Sequence, residues 1–183
     1  MAAYAELREA ADRTWAPFAD PKRTLIKVGV ATCSRVVGAE DTLAAIREAV
    51  KSRGIDADVM MVGCNGLCYA EPLVEVQLPG QPGVLHQQVT VDKVGALLEA
   101  VQAGSAAGPS ALAVLGERGM GDVPPIGSLP LWRGQVRRLM ANCGVIDPEN
   151  LDHAIANRGY EGLDKALRMD GEAVTKEDRK SVV

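Results

Sequence analysis

Residues Gly63 to Val76 run Gly-Cys-Asn-Gly-Leu-Cys-Tyr-Ala-Glu-Pro-Leu-Val-Glu-Val, and Cys33 lies upstream of them. Two thiols four positions apart, in a glycine-bearing loop directly ahead of an apolar strand, suit soft iron held at the edge of a sheet. Gly63 and Gly66 let backbone amides turn toward sulfur, and such amides stabilise thiolate and cluster charge. Cys33 is expected just past the first strand, at the same sheet end as this loop, so Cys33, Cys64 and Cys68 form the candidate metal-binding set.

Other chemistries compete for the same residues. Three cysteines with one His, Asp or water also make a zinc site, but His86 falls inside an expected strand with no paired ligand spacing. A thiol–disulfide enzyme more usually shows C-x-x-C at a helix start, whereas this spacing is one residue longer and no helix is expected after it. The plain alternative is that the thiols are small buried hydrophobes. Cys143, in Ala141-Asn142-Cys143-Gly144, stands apart and reads as a packed structural thiol; His153 reads as solvated on a helix face. Gly116 to Gly121 reads as a flexible turn, because no strand leads into it and no helix opens from it, as a phosphate loop requires.

The elements that would position the thiols follow from periodicity. Ala3, Leu7, Ala10, Ala11 and Trp15 have helical spacing, predicting a helix over 2–16 ended by Pro17. Strands are expected over 25–31, 58–62, 73–78 and 84–89, with a helix over 38–53 between the first two and Gly54 at its stop. Pro79-Gly-Gln-Pro-Gly83 supplies a hairpin turn, and Thr90 is placed to cap a closing helix carrying Val94, Leu97, Leu98 and Val101. Strand, helix, strand, strand, strand, helix is the order of a thioredoxin-like α/β fold. Residues 1–22 then read as a helical arm, 23–104 as the thioredoxin-like domain, 105–128 as a Gly/Pro/Ala-rich linker along a surface, and 129–183 as a small, mostly helical segment. In that last segment Asp147-Pro-Glu149 is read as opening a helix with Leu151, Ala154 and Ile155, Gly159 ends it, Tyr160 to Met169 forms another, and the tail from Thr175 begins a third.

Composition bounds the setting. The chain has 183 residues, 47% hydrophobic and only 3% aromatic, so its core must be built from Val, Leu, Ala and Ile. A net charge of −4, with Lys and Arg scattered, argues against nucleic-acid binding. No apolar run is long enough for a membrane helix, and charge near the N-terminus argues against a secretory signal. The expected location is the cytoplasm, where cysteines serve as free thiols or metal ligands rather than disulfides.

Ala31-Thr-Cys33 with Gly38-Ala-Glu40, and Val62-Gly-Cys64-Asn-Gly-Leu-Cys68-Tyr-Ala-Glu-Pro-Leu-Val-Glu-Val76, closely resemble the thioredoxin-like ferredoxin domain fused to the front of NADH-dehydrogenase flavoprotein subunits. Relatives of that kind occur in bacterial complex I, NAD-reducing hydrogenases and NAD-dependent formate dehydrogenases. Arg138-Leu-Met-Ala-Asn-Cys-Gly-Val-Ile-Asp-Pro-Glu149 and Asn157-Arg-Gly-Tyr-Glu-Gly-Leu-Asp-Lys-Ala-Leu167 are similar to the lead-in of the same flavoprotein. The resemblance implies a [2Fe–2S] site with Cys33, Cys64 and Cys68 as three ligands. Where cluster-binding relatives carry the first cysteine of a C-x4-C pair this chain has Val28, which cannot ligate iron, so either another ligand completes the site or the domain has lost it.

The family's FMN- and NADH-binding segment follows the region near Met169, and this sequence stops at Val183, so neither FMN nor NAD is expected here and no catalysis by this chain alone. The resemblance therefore implies an electron-transfer or assembly module whose partners are other subunits of a multisubunit oxidoreductase. Without a cluster it would serve as an assembly surface, with apolar exposure around Leu131, Trp132, Leu163 and Leu167. The alternative is a stand-alone thioredoxin-like binding or redox-sensing protein in which Cys64 and Cys68 pair under oxidation.

Overall fold

The computed structural model describes residues 2–180. In chain order it contains α1 (Ala2–Ala19), β1 (Thr24–Gly29), α2 (Thr32–Arg35), α3 (Ala39–Ser52), β2 (Ala57–Val62), β3 (Val74–Gln77), β4 (Val84–His86), α4 (Val94–Gln102), β5 (Ala111–Val114), α5 (Leu151–Ala156), α6 (Glu161–Ala166) and α7 (Gly171–Lys180). The chain forms two compact units, residues 16–148 and residues up to 15 together with those from 149 onward.

The first unit is built on a five-stranded sheet in the order β2-β1-β3-β4-β5. β1 and β2 are parallel, joined through α3, and β3, β4 and β5 follow antiparallel. This is the expected thioredoxin-like α/β arrangement with one strand added at the edge. Alternation along β1 sends Ile26 and Val28 to one face and Leu25 and Lys27 to the other. On the first face Ile26, Val28, Val74, Val76 and Val84 pack with Leu43, Ile46 and Val50 of α3 and Val94, Leu97, Leu98 and Val101 of α4. Burying such side chains contributes about 1.5–3 kcal/mol each, so this face supplies most of the apolar stabilisation.

The opposite face corrects the reading of 105–128 as a surface connector. Ala111–Val114 is the fifth strand, and Leu112, Ala113, Leu115, Ile126, Leu129 and Trp132 close over Leu67, Leu73 and Leu85. Glycine and proline break this cover into pieces too short to carry a helix or strand period. One cross-strand pair on this face is ionic: Lys27 and Glu75 stand directly opposite in the β1–β3 register, both buried, with Nζ to Oε1 at 3.0 Å. Burial raises the Glu75 carboxyl above the usual range, while the Lys27 charge and hydrogen bond pull it down. Gly83 makes room for this carboxylate; a Cβ there would stand 2.5 Å from Glu75 Oε1.

Several local expectations shift. α1 runs through Pro17 to Ala19 instead of ending before it, because a proline deletes a single N–H bond and the helix stops within two further residues. Ala3 lies outside the residues whose side chains are described, as do the last three of the tail beyond α7. Thr90 precedes a 3-10 turn, Val91–Lys93, and its side chain makes no capping bond to the helix. α5 is capped by Asn150 rather than Asp147: its Oδ1 accepts from the amides of Asp152 and His153. Gly159 does end that segment, its N–H bonding the Ala154 carbonyl at 2.7 Å.

In the second unit α1 lies against α5 through Tyr4, Ala11, Trp15, Ile155 and Ala156, and Tyr4 Oη donates to the Gly159 carbonyl at 2.9 Å. His153 is buried here, contrary to its expected solvation, with Trp15 edge-on to its ring at 4.9 Å between centroids. No helix among the described residues is long and apolar enough to cross a membrane.

Two measurements test this account. Gly83→Ala forces the Glu75 carboxylate off Lys27 and should lower unfolding free energy by about 1–3 kcal/mol in urea, whereas Gly127→Ala, which meets nothing within 4 Å, should stay within about 0.5 kcal/mol of the parent. His86 is fully buried; its Nε2–H donates to the Ala106 carbonyl at 2.9 Å and Nδ1 faces Ser110 Oγ at 3.2 Å. Burial lowers its pKa, so the unfolded chain takes up the proton more readily. The stability contributed by the neutral ring is complete above the ordinary histidine pKa of about 6.5 and is lost as pH falls below it. Thermal melts from pH 7 to 5.5 should show this slope, and His86→Gln should flatten it.

Candidate metal centre

Three separate elements deliver the thiols to one end of the sheet. β1 ends at Gly29 and the chain turns into the single turn of α2, whose second residue is Cys33. Ser34 fixes that turn, its buried hydroxyl accepting from the Ala31 amide at 2.7 Å and donating to the Ala31 carbonyl at 3.1 Å. β2 ends at Val62, so Cys64 opens the loop at the same sheet end. Cys68 begins a 3-10 turn, Cys68–Ala70.

Leu67 anchors the loop between the two cysteines; it is almost fully buried against Leu73 and Leu85. Gly66 takes φ +99, a conformation side chains resist, and thereby aims its N–H at Cys64 Sγ, 3.3 Å away. Asn65 Oδ1 accepts from the Leu67 amide at 3.2 Å.

The result brings together the three cysteines expected from the sequence. Their sulfur atoms all lie within 4.8 Å of one another, with Cys33 to Cys64 and Cys64 to Cys68 both at 3.6 Å. A tetrahedral ion with metal–sulfur bonds of about 2.3 Å sets its ligands about 3.8 Å apart, so these separations fit a metal–thiolate group. They supply three donors of the four that such a group takes. Burial pushes the Cys64 thiol up to about 12, its neighbours Cys33 and Cys68 add to this, and only the Gly66 amide opposes. Cys33 is raised chiefly by burial as well. Without a cation Cys64 holds its proton, which counts against that thiol being poised to attack or to sense oxidants.

Val28 does not take part. It is fully buried in the helix-covered face, paired with Met61 and Val74, and belongs to the core. His86 is spent on Ala106 and Ser110.

Three residues near the thiols carry roles that sequence reasoning missed. Glu71 was visible only as the acid closing the loop; in the fold it is 6% exposed, Oε2 accepts from the Leu73 amide at 2.8 Å, and Oε1 is buried with no hydrogen-bond partner. Burial raises its carboxyl, while the Leu73 amide and the nearby Cys64 thiol lower it. Arg137 lies over the Trp132 ring at 4.1 Å and donates through Nη1 to the Asn65 carbonyl at 2.8 Å, clamping the loop from a segment 72 residues away. Gly144, at φ +79, passes so close that a Cβ would meet Asn65 Cβ at 2.9 Å. Between this strap and the sheet lies a cavity of 250 Å³ whose walls include Cys64, Glu71, the Lys27–Glu75 pair, Arg137 and Cys143. Cys143 is therefore not remote from the loop, as its position in the sequence suggests.

No protein-family model matches the chain. Two curated proteins of Solidesulfovibrio fructosivorans are similar to it. The NADP-reducing hydrogenase subunit HndB is 34% identical over 77 residues, covering 42% of this chain and 61% of that one. The NADP-reducing hydrogenase subunit HndC is 60% identical over 35 residues, covering 19% of this chain and 7% of that one. The chain thus spans less than two thirds of the length of either. Among solved structures, a thioredoxin-like [2Fe–2S] ferredoxin from Aquifex aeolicus superposes with a TM-score of 0.45 at 18% identity, over 54% of this chain and 97% of that chain. The sheet order and connections are those expected of a thioredoxin-like fold, and over part of its length the chain is similar to subunits of an NADP-reducing hydrogenase.

Proposed function

We propose that this chain is an electron-transfer module of a multisubunit, NADH-dehydrogenase-type oxidoreductase in the cytoplasm, working beside other subunits of that enzyme. The observation that carries the reading is the convergence of Cys33, Cys64 and Cys68 within 4.8 Å at one sheet end, in a domain related to hydrogenase subunits. Cys33, Cys64 and Cys68 are the residues that would hold a [2Fe–2S] group, which when bound accepts and passes on one electron at a time.

The chain's own residues set the conditions. The Gly66 amide points at Cys64 sulfur and offsets negative charge there, favouring the reduced state. Leu67 packs beneath the cysteine loop and the Trp132–Arg137 strap covers it from above, which limits its movement. The outer side differs, because Cys68 and Tyr69 are exposed and offer the short path along which a partner's redox group would approach. Leu131, Leu163 and Leu167 are exposed, which is the exposure expected of an assembly surface and suits contact with a partner subunit; Trp132 is instead held under Arg137. A stand-alone redox sensor is disfavoured by the raised thiol pKa values and by the relationship to hydrogenase subunits.

Anaerobic reconstitution with ferrous iron and sulfide should give stoichiometric iron and acid-labile sulfide and an EPR signal on dithionite reduction, and Cys64→Ser should abolish both. Protein that takes up no iron but loses two thiols on mild oxidation would sink the relay and restore the sensor.

A further inference from the structure

Glu71 Oε1 is the one buried side-chain oxygen among the described residues that lacks a hydrogen-bond partner. A carboxylate oxygen taken out of water without a partner costs several kcal/mol, and such atoms in a folded protein mark a missing ion, water or proton. The placement narrows the choice. Glu71 stands three residues after Cys68, its carboxyl is near the Cys64 thiol, and both side chains line the same cavity. Gly29, next to Val28 in the sequence, lies beside this carboxylate: a Cβ there would make ordinary contact, 3.4 Å from Glu71 Oε2 and 3.6 Å from Oε1.

We propose that Glu71 Oε1 is the fourth protein donor to the iron–sulfur group held by Cys33, Cys64 and Cys68, filling the role that Val28 cannot. The inference rests on the relay reading above. Charge supports it: three thiolates and one carboxylate give the same four monoanionic donors as four cysteines, so the core is neutralised to the same extent. Ligand chemistry supports it too, because iron takes a carboxylate oxygen alongside imidazole in 2-His-1-carboxylate sites. Structure supports it a third time. Oε2 is already committed to the Leu73 amide, which holds the carboxyl in one orientation beside the Cys64 thiol, the only other group among the described residues that engages it. Binding is coordination alone: a carboxylate lone pair bonds iron, any carboxyl proton leaves to water, and no oxidation state changes.

Oxygen in place of sulfur makes the two irons inequivalent, and the iron bound by Glu71 the more labile. Cys143 is the rival donor, since it lines the same cavity.

The test uses Glu71→Gln, which keeps an acceptor for Leu73 but replaces the anionic oxygen with a neutral amide. Wild type, Glu71→Gln and Cys143→Ala are reconstituted anaerobically and compared by iron and sulfide content, reduced EPR, Mössbauer spectra and cluster lifetime under a ferrous chelator. The proposal expects two Mössbauer iron environments in wild type. In Glu71→Gln it expects a shifted EPR spectrum and a lifetime shorter by about tenfold or more, with the metal-free melting temperature not lowered and Cys143→Ala behaving as wild type. Glu71→Gln with the wild-type spectrum and lifetime overturns this assignment and leaves the relay intact, and loss in Cys143→Ala would move the role to that thiol. Wild type that takes up no iron overturns both.

Discussion

Three sulfur atoms held within 4.8 Å of one another at the end of a sheet would repel one another as thiolates, and a cation placed among them removes that repulsion. Burial and mutual proximity keep Cys64 protonated far above neutral pH, so the metal-free site is an electrostatic compromise. Everything around it serves to hold that compromise in place. The parallel β1–β2 pair sets Cys33 and Cys64 at one sheet end, Leu67 ties the loop to the core, and the Gly66 amide is the local group that favours negative sulfur. A chain without these constraints would let the thiols drift apart into water.

The two faces of the sheet do different work. The face under α3 and α4 is predominantly apolar, its buried polar groups Thr42 and His86 being hydrogen-bonded, and it supplies cohesion. The other carries a buried ion pair, a cavity and an orphan carboxylate oxygen beneath a cover of irregular chain. Buried ionic groups are poor sources of stability, because desolvation offsets attraction. Their concentration on the face that borders the thiols, and their exclusion from the other, separates the stabilising half of the domain from the chemical half.

Much of this was legible in the sequence, and for a physical reason. β1, α3, β2, the β3–β4 hairpin and α4 are short amphipathic or apolar segments bounded by glycine and proline, so periodicity alone places them to within a few residues. Cys33, Cys64 and Cys68 were legible because strand ends fix where loops emerge. β5 was not, since Ala111 to Val114 is four residues inside a glycine- and proline-rich stretch, and an edge strand that short is specified by its partner β4 rather than by its own pattern. Nor could local sequence show that His153 is buried, because the Trp15 ring that covers it comes from the opposite end of the chain. The partnerless oxygen of Glu71 and the reach of Arg137 depend on which backbone groups tertiary packing leaves free, and no spacing rule encodes that.

The bond from Arg137 to the Asn65 carbonyl also fixes an order of events. It joins residues 72 apart, and the helix-covered face of the sheet is complete in sequence by Gln102, well before Arg137 is made. During synthesis, at about 5–20 residues per second, the sheet can form seconds before the strap that closes over the cysteine loop. For that interval the cysteine loop is open on both sides, whereas in the finished protein the strap covers one of them and leaves Cys68 exposed on the other.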